Sequence, residues 1–299
     1  MVLPERDKLR RAFRVAGPGA AETHAASTER DRAGGVRSFL QRRLAQFDTA
    51  PRAKVALPPG EEVTTPHGVL WRRELRYALS TLHGTACLRA ALALDGAQLG
   101  KLAKDAAFTT LRSEQCLFLD TETTGLAGGA GTIVFAYGLG FVVGDELVVE
   151  QLFLRDFGEE LAMLQHVAAR LQQFPVLVTF VGKSFDRHRI AARLAVHKLK
   201  VPVLTALHLD LYHLVRRRYG KQWPDTRLRT AEQRLLGLER HDDLPGSEAP
   251  AAFLDWIRDG TGPVDRVLEH NRLDVLSLAA LLGQLVGGGS ATGLDAKHV

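Results

Sequence analysis

The sequence is poor in cysteine, methionine and tyrosine, with 2, 2 and 4 of each in 299 residues. Cys87 and Cys116 are too few for a disulfide scaffold or a four-thiolate zinc site, and they fit a reducing compartment. No run of about 18 uncharged apolar residues occurs, so no transmembrane helix and no membrane partner are expected. The opening MVLPERDKLRRAFRV lacks the apolar stretch of a secretory signal, and Glu5 and Asp7 disfavour an organellar transit peptide. A cytoplasmic protein is expected. Apolar residues at 45% and charged residues at 24% exclude collagen-like and wholly disordered chains.

Charge is present but uneven. The net +5 combines a basic segment at 1–60 (12 basic, 6 acidic) and another at 187–240 (13 basic, 4 acidic) with an acidic remainder. Basic segments suit a polyanion such as nucleic acid, although a solvated helix face gives the same pattern.

Along the chain, residues 16–35 are small, polar and aperiodic, and 1–35 is expected to be a basic, largely disordered arm. Residues 36–112 are expected to form a small N-terminal subdomain, with a helix at 36–47 and a β-ribbon within Glu61–Leu88. The main body spans 113–286, and 287–299 is expected to be a flexible tail. Strands are predicted at 116–120, 132–143, 147–154, 176–180 and 203–211, with a hairpin turn at Gly144-Asp145-Glu146. Helices are predicted at 159–174, 185–199 and 264–286. This order implies an α/β fold whose sheet contains one antiparallel hairpin.

Three segments carry acids where they can meet. In FLDTETTGL (118–126), Asp120 and Glu122 sit two residues apart at a strand end and share a face. In GKSFD (182–186), Asp186 opens a helix after the fourth strand, a position that N-capping alone would also explain. In EHNRLDVLSL (269–278), His270 and Asp274 lie one helical turn apart. GLAGGAGT (125–132) and GKS (182–184) do not make a P-loop, because Leu177 stands where its first glycine is required.

Taken with TPHGVLWRRE (65–74), HG (83–84), HLDLYHLVRRR (208–218) and LRTAEQRLLGLERHDDLPG (228–246), these stretches resemble the DEDD superfamily of 3′–5′ exonucleases, and more narrowly the YprB-type ribonuclease-H-like proteins, over residues 61–286. The resemblance implies a ribonuclease-H-like mixed sheet flanked by helices. It implies a metal-dependent 3′–5′ exonuclease, a hydrolase of DNA or RNA phosphodiesters, with nucleic acid as partner and a helicase or repair factor as a further candidate partner. Asp120, Glu122, Asp186 and Asp274 take the places of the ligands to two divalent ions, Mg²⁺ or Mn²⁺, and His270 that of the general base. Superfamily members place a Tyr four residues, or a His five, before the last Asp; here a His stands four before, as in the YprB type. Thr123, Lys183, Phe185, Arg187, Arg216 and Asn271 are the expected substrate contacts, with a structural role for Asp210. Val181 departs from the family's usual Asn, which leaves a catalytically weak nucleic-acid-binding module as the alternative.

Overall fold

The computed structural model describes residues 53–92, 94–125, 131–201 and 206–286, all in a unit that begins at Ala53. The expected arm, the 36–47 helix, the tail and residues 126–130 of the glycine-rich run lie outside the described residues.

A hairpin of β1 (Glu61–Thr65) and β2 (Gly68–Ala78) opens the unit. The small β3 (Leu82–His83) and β4 (Ala86–Cys87) pair follows, with helices α1 (Leu88–Leu92) and α2 (Gly96–Ala103). Then come β5 (Cys116–Thr123), β6 (Val134–Val143), β7 (Glu146–Phe153), α3 (Glu160–Gln173), β8 (Val176–Thr179) and α4 (Asp186–Val196). The last part holds β9 (Leu207–Asp210), α5 (Leu211–Tyr219), α6 (Leu228–Ala231), a π-helical turn at Glu232–Leu236, α7 (Ala249–Asp259) and α8 (Val264–Val286).

Local chemistry explains the boundaries. Gly144, at φ +58°, turns β6 into β7. Asp95 caps α2 through a reciprocal pair with Gln98. Phe174, ahead of Pro175, is extended and ends α3.

The seven strands run in the order β1-β2-β7-β6-β5-β8-β9. Pairings are antiparallel from β1 to β5 and parallel from β5 to β9. The α/β class with one central hairpin is therefore observed. The β-ribbon differs from expectation: β2 pairs with β7 from Trp71 to Ala78, so it extends the main sheet instead of forming a subdomain set against it. Pairing covers what would otherwise be an open edge of β7.

Alternation along β5 sends Leu117 and Leu119 to one face, where they join Phe135, Leu164, Ile190 and Phe253. It sends Cys116 and Phe118 to the other, with Val176, Val178, Leu214 and Leu278. Asp120 and Glu122 continue that second row, beneath α8. Two missing side chains let α8 lie close. A Cβ on Gly138, which is paired with Asp120, would sit 2.5 Å from Asn271 Oδ1, and one on Gly140 would sit 2.6 Å from Val275 Cγ1. Any larger residue there would lift Asn271 and Asp274 away from β5.

Candidate active site

The C-terminal end of β5, the start of α4 and the middle of α8 bring all five predicted reactive residues to one place. Asp120 accepts a hydrogen bond at 2.8 Å from Asn271 Nδ2. Asn271 is itself oriented by Gln151, whose Nε2 donates to Asn271 Oδ1 at 2.9 Å and to Leu268 O at 2.7 Å. Thr121, pointing to the opposite face, donates to Asp186 Oδ1 at 2.5 Å. Asp186 therefore does not cap α4; the cap position is Phe185, which makes no side-chain cap bond.

The loop between β8 and α4 is held by Asp210. Its Oδ1 accepts from Val181 N and Tyr212 N at 2.9 and 3.1 Å, and its Oδ2 accepts from Lys183 N at 2.9 Å. The structural role expected for Asp210 is observed. Val181 adopts φ +67°. That left-handed conformation is tolerated by Asn and costly for a β-branched side chain, so the usual Asn has a backbone reason as well as a polar one.

On α8, His270 Nδ1 donates to Asp243 Oδ1 at 2.8 Å, while Nε2 lies 3.7 Å from Asp274 Oδ2. A buried guanidinium joins these groups. Arg240, 4% exposed at its side chain, sits 2.6 Å from Asp274 Oδ1, 3.4 Å from Asp243 Oδ2, and also pairs with Glu232. Glu232 accepts from Ser277 Oγ as well, and Ser277 in turn contacts His83 Nε2 at 2.8 Å. The π-helical turn aims Glu232 inward. The HG pair serves this turn: Gly84 lies so close that a Cβ would stand 2.1 Å from Leu236 O.

The electrostatics divide the acids. Burial, then the charges of Asp274 and Asp186, hold the Asp120 carboxyl well above its usual range, against the Asn271 bond and Arg240. Glu122 is raised likewise by burial and then by Asp120, Asp274 and Asp186. Burial pushes Asp186 up to about 6 despite the Thr121 bond. Arg240 is raised further, because Asp274 and Glu232 outweigh its burial.

Hard carboxylate oxygens that repel one another suit a divalent cation such as Mg²⁺ or Mn²⁺. Asp120, Glu122 and Asp186 have that chemistry and that unmet charge. As they stand, no three His, Cys, Asp or Glu side chains among the described residues converge tightly enough to hold a metal ion. Asp274 is turned to Arg240 and would have to exchange that partner to join a cation.

A cleft of about 510 Å³ opens onto Asp120 and Asp274, with Phe180, Val181, Tyr212 and Arg227 also in its wall. Among the expected substrate contacts, Lys183, Phe185 and Arg187 are partly exposed beside Asp186. Arg189 stacks 4.7 Å over Phe185. Thr123 is 7% exposed and donates to Gly125 O. Arg216 is exposed on α5 outside this cleft. Asn271 corrects the expectation: it is fully buried and its amide is spent on Asp120 and Gln151, so it positions a carboxylate instead of touching substrate.

Asp243, Arg240, Glu232 and Gln151 were not foreseen as site residues. The run ERHDD (239–243) signals Arg240 and Asp243, whereas Glu232 and Gln151 stand in no comparable run.

A family model described as the RNase_H superfamily matches residues 117–286. The chain is 37% identical over 166 residues to "Uncharacterized protein YprB" of Bacillus subtilis (strain 168), covering 55% of this chain and 40% of that protein. It therefore spans well under half the length of that relative. The family B DNA polymerase of Pyrobaculum calidifontis is a similar solved structure, with TM-score 0.43 and 17% identity over 57% of this chain and 24% of that one.

Proposed function

Since the chain belongs to the RNase_H superfamily, of the YprB type, and has a ribonuclease-H-like fold, we propose that it is a metal-dependent nuclease that hydrolyses phosphodiester bonds of DNA or RNA as a 3′–5′ exonuclease. The observation that carries this reading is the meeting of Asp120, Glu122 and Asp186, all with raised proton affinity, beneath Asp274 and His270.

Asp120, Glu122 and Asp186 would hold two divalent ions, with Asp274 joining them. When bound, such ions supply positive charge to the scissile phosphate and its leaving oxygen. The protein's own groups do the rest. Asn271 and Gln151 orient Asp120, and Thr121 orients Asp186. Asp243 accepts the hydrogen bond from His270 Nδ1–H, which fixes the tautomer in which Nε2 keeps its lone pair, placed to accept a proton from attacking water. Phe180 and Tyr212 in the cleft wall offer flat apolar surface to a base.

End-labelled single- and double-stranded DNA and RNA, incubated with Mg²⁺, Mn²⁺ or EDTA, test the reading. Wild type is expected to shorten labelled strands from the 3′ end with a metal and not in EDTA. Asp120→Asn and Asp274→Asn variants are expected to be inactive. No cleavage by wild type with either metal would defeat it.

Two observations favour a second reading, a nucleic-acid-binding module with weak catalysis. Arg240 already neutralises Asp274 from within the fold, and Val181 offers no side-chain donor beside the cleft.

A further inference from the structure

The molecule has a second charged surface, which begins beside Asp186 at Lys183 and Arg187. A cavity of about 270 Å³ beside β9 has Lys183, Arg187, His208, His213 and Arg217 in its walls. A second, of about 570 Å³, has Lys101 and Lys104 from the α2 end together with Arg217 and Arg218 from α5. The two share Leu214 and Arg217 and so form one trough.

Two of the cations in this trough are held by main-chain carbonyls, which leave their charge in place. Arg217 Nη2 donates to Leu102 O at 2.7 Å and Arg218 Nη1 to Leu285 O at 3.0 Å, both main-chain carbonyls. The larger cavity has no acid in its wall. The two acids of the smaller one are already engaged: Asp105 accepts from Ala107 N at 2.9 Å, and Asp210 holds three main-chain N–H groups.

One further group points to a missing ligand. His208 is 6% exposed, with Nε2 joined to Thr179 Oγ1 at 2.7 Å and Nδ1 without a partner. Burial and then the charges of Lys183 and Arg187 push the ring down to about 3, so it is neutral at pH 7. In the tautomer in which Thr179 donates to Nε2, Nδ1 carries the ring's one proton and is a spare donor in a wall of cations. A phosphate oxygen suits such a donor.

We propose that this trough is a track for the phosphate backbone of a single nucleic-acid strand, running from Lys101 and Lys104 past Arg217 to Lys183 and Arg187. Its last residues flank Asp186, so the track delivers the strand to the acid cluster. The delivery rests on the nuclease reading, whereas the binding of a strand does not.

Fluorescence anisotropy with a labelled 15-nucleotide oligothymidine in EDTA tests the track without cleavage. The Lys101→Glu/Arg217→Glu double variant, checked for folding by circular dichroism, is expected to bind about tenfold more weakly, with a shallower dependence on salt. Arg89→Glu, at an exposed position of α1, is expected to stay within twofold of wild type. Histidine-labelled wild type should show the His208 ring nitrogen signals move as the oligonucleotide is added. Binding by the double variant within twofold of wild type would overturn the track, as would an unmoved His208 signal. A 15-base-pair duplex that bound more tightly than the strand would overturn its single-strand character. Failure of the track leaves the cleavage results untouched. A protein that binds through the track yet cuts nothing would refute the nuclease reading alone.

Discussion

Glu150 on β7 and Glu122 on β5 are both buried carboxylates on neighbouring parts of one sheet, and they are treated in opposite ways. Glu150 accepts from Arg170 at 2.7 Å, contacts His166 at 2.6 Å and faces Arg72 at 3.5 Å. These partners overcome burial and bring it down to about 2. Glu160 is handled likewise by Arg193 and His197, at 2.5 and 2.8 Å. The neighbours that act on Glu122 are further carboxylates, Asp120, Asp274 and Asp186, and its proton affinity rises. The fold thus supplies cations to a buried acid that serves structure. Glu122 is given no such partner, and a buried acid left unbalanced in this way is a mark of a functional site, in contrast to one paired within the packing.

The sharpest way to break this contrast is to neutralise one acid of each kind. Asp120→Asn should lower metal-dependent cleavage by roughly 10³-fold, about 4 kcal/mol of barrier, read from initial rates on an end-labelled strand. The same change should make the metal-free protein more stable in urea by about 1 kcal/mol, since it removes a repelled charge. Arg170→Met should do the reverse: it strips Glu150 of one of its cationic partners and should cost about 3 kcal/mol in urea denaturation, with little change in the chemical step.

The base side of the site gives a smaller effect. Asp243→Asn removes the carboxylate charge that fixes the Nδ1–H tautomer of His270 and stabilises its protonated ring. A fall of about 10- to 100-fold in kcat with KM little changed is expected, measured by steady-state kinetics.

The two kinds of acid also differ in sign with pH. Asp186 rises from 3.8 to about 6 in the fold, so its contribution to stability is full below pH 3.8 and is lost as pH rises through 6. Glu150 falls from 4.5 to about 2, so its contribution is present above pH 4.5 and is lost as pH falls towards 2. Metal-free protein should therefore be more stable at pH 5 than at pH 7.5, by about 1–2 kcal/mol in denaturant melts, and should weaken again below pH 4. Asp186→Asn should flatten the upper limb only.

The smallest effect concerns the loop. Val181→Asn should stabilise the protein by about 1 kcal/mol, because Asn accepts φ +67° more readily than a β-branched residue. A loss of stability in the melt would mean the Val181 side chain contributes packing that outweighs the backbone cost.

The reactive residues were legible because their spacing is local. Asp120 and Glu122 share a strand face, and His270 and Asp274 share a helix turn, so a few neighbouring letters place each pair. The strands and the long helices followed from apolar runs and from Pro175 and Gly144. The supporting residues were hidden for the opposite reason. Asp243 reaches His270 from 27 residues away, Gln151 reaches Asn271 from 120, and His83 reaches Ser277 from 194. No periodicity encodes such contacts. The pairing of β2 with β7 was hidden likewise, since it depends on which edge of the finished sheet is open. Asn271 misled because a polar residue between His270 and Asp274 looks solvent-facing until Gly138 is seen to admit it beneath α8.

The central claim, that Asp120, Glu122 and Asp186 are left unbalanced so as to hold divalent cations, is tested most directly by thermal unfolding in EDTA and in rising Mn²⁺. A ligand that binds only the folded state stabilises it by about 2.7 kcal/mol at 100 times its Kd. Wild type should show a saturable rise in Tm with Mn²⁺, and Asp120→Asn and Glu122→Gln should show none while melting at or above the wild-type temperature in EDTA. No Mn²⁺-dependent rise in wild type, or an equal rise in both variants, would contradict the account.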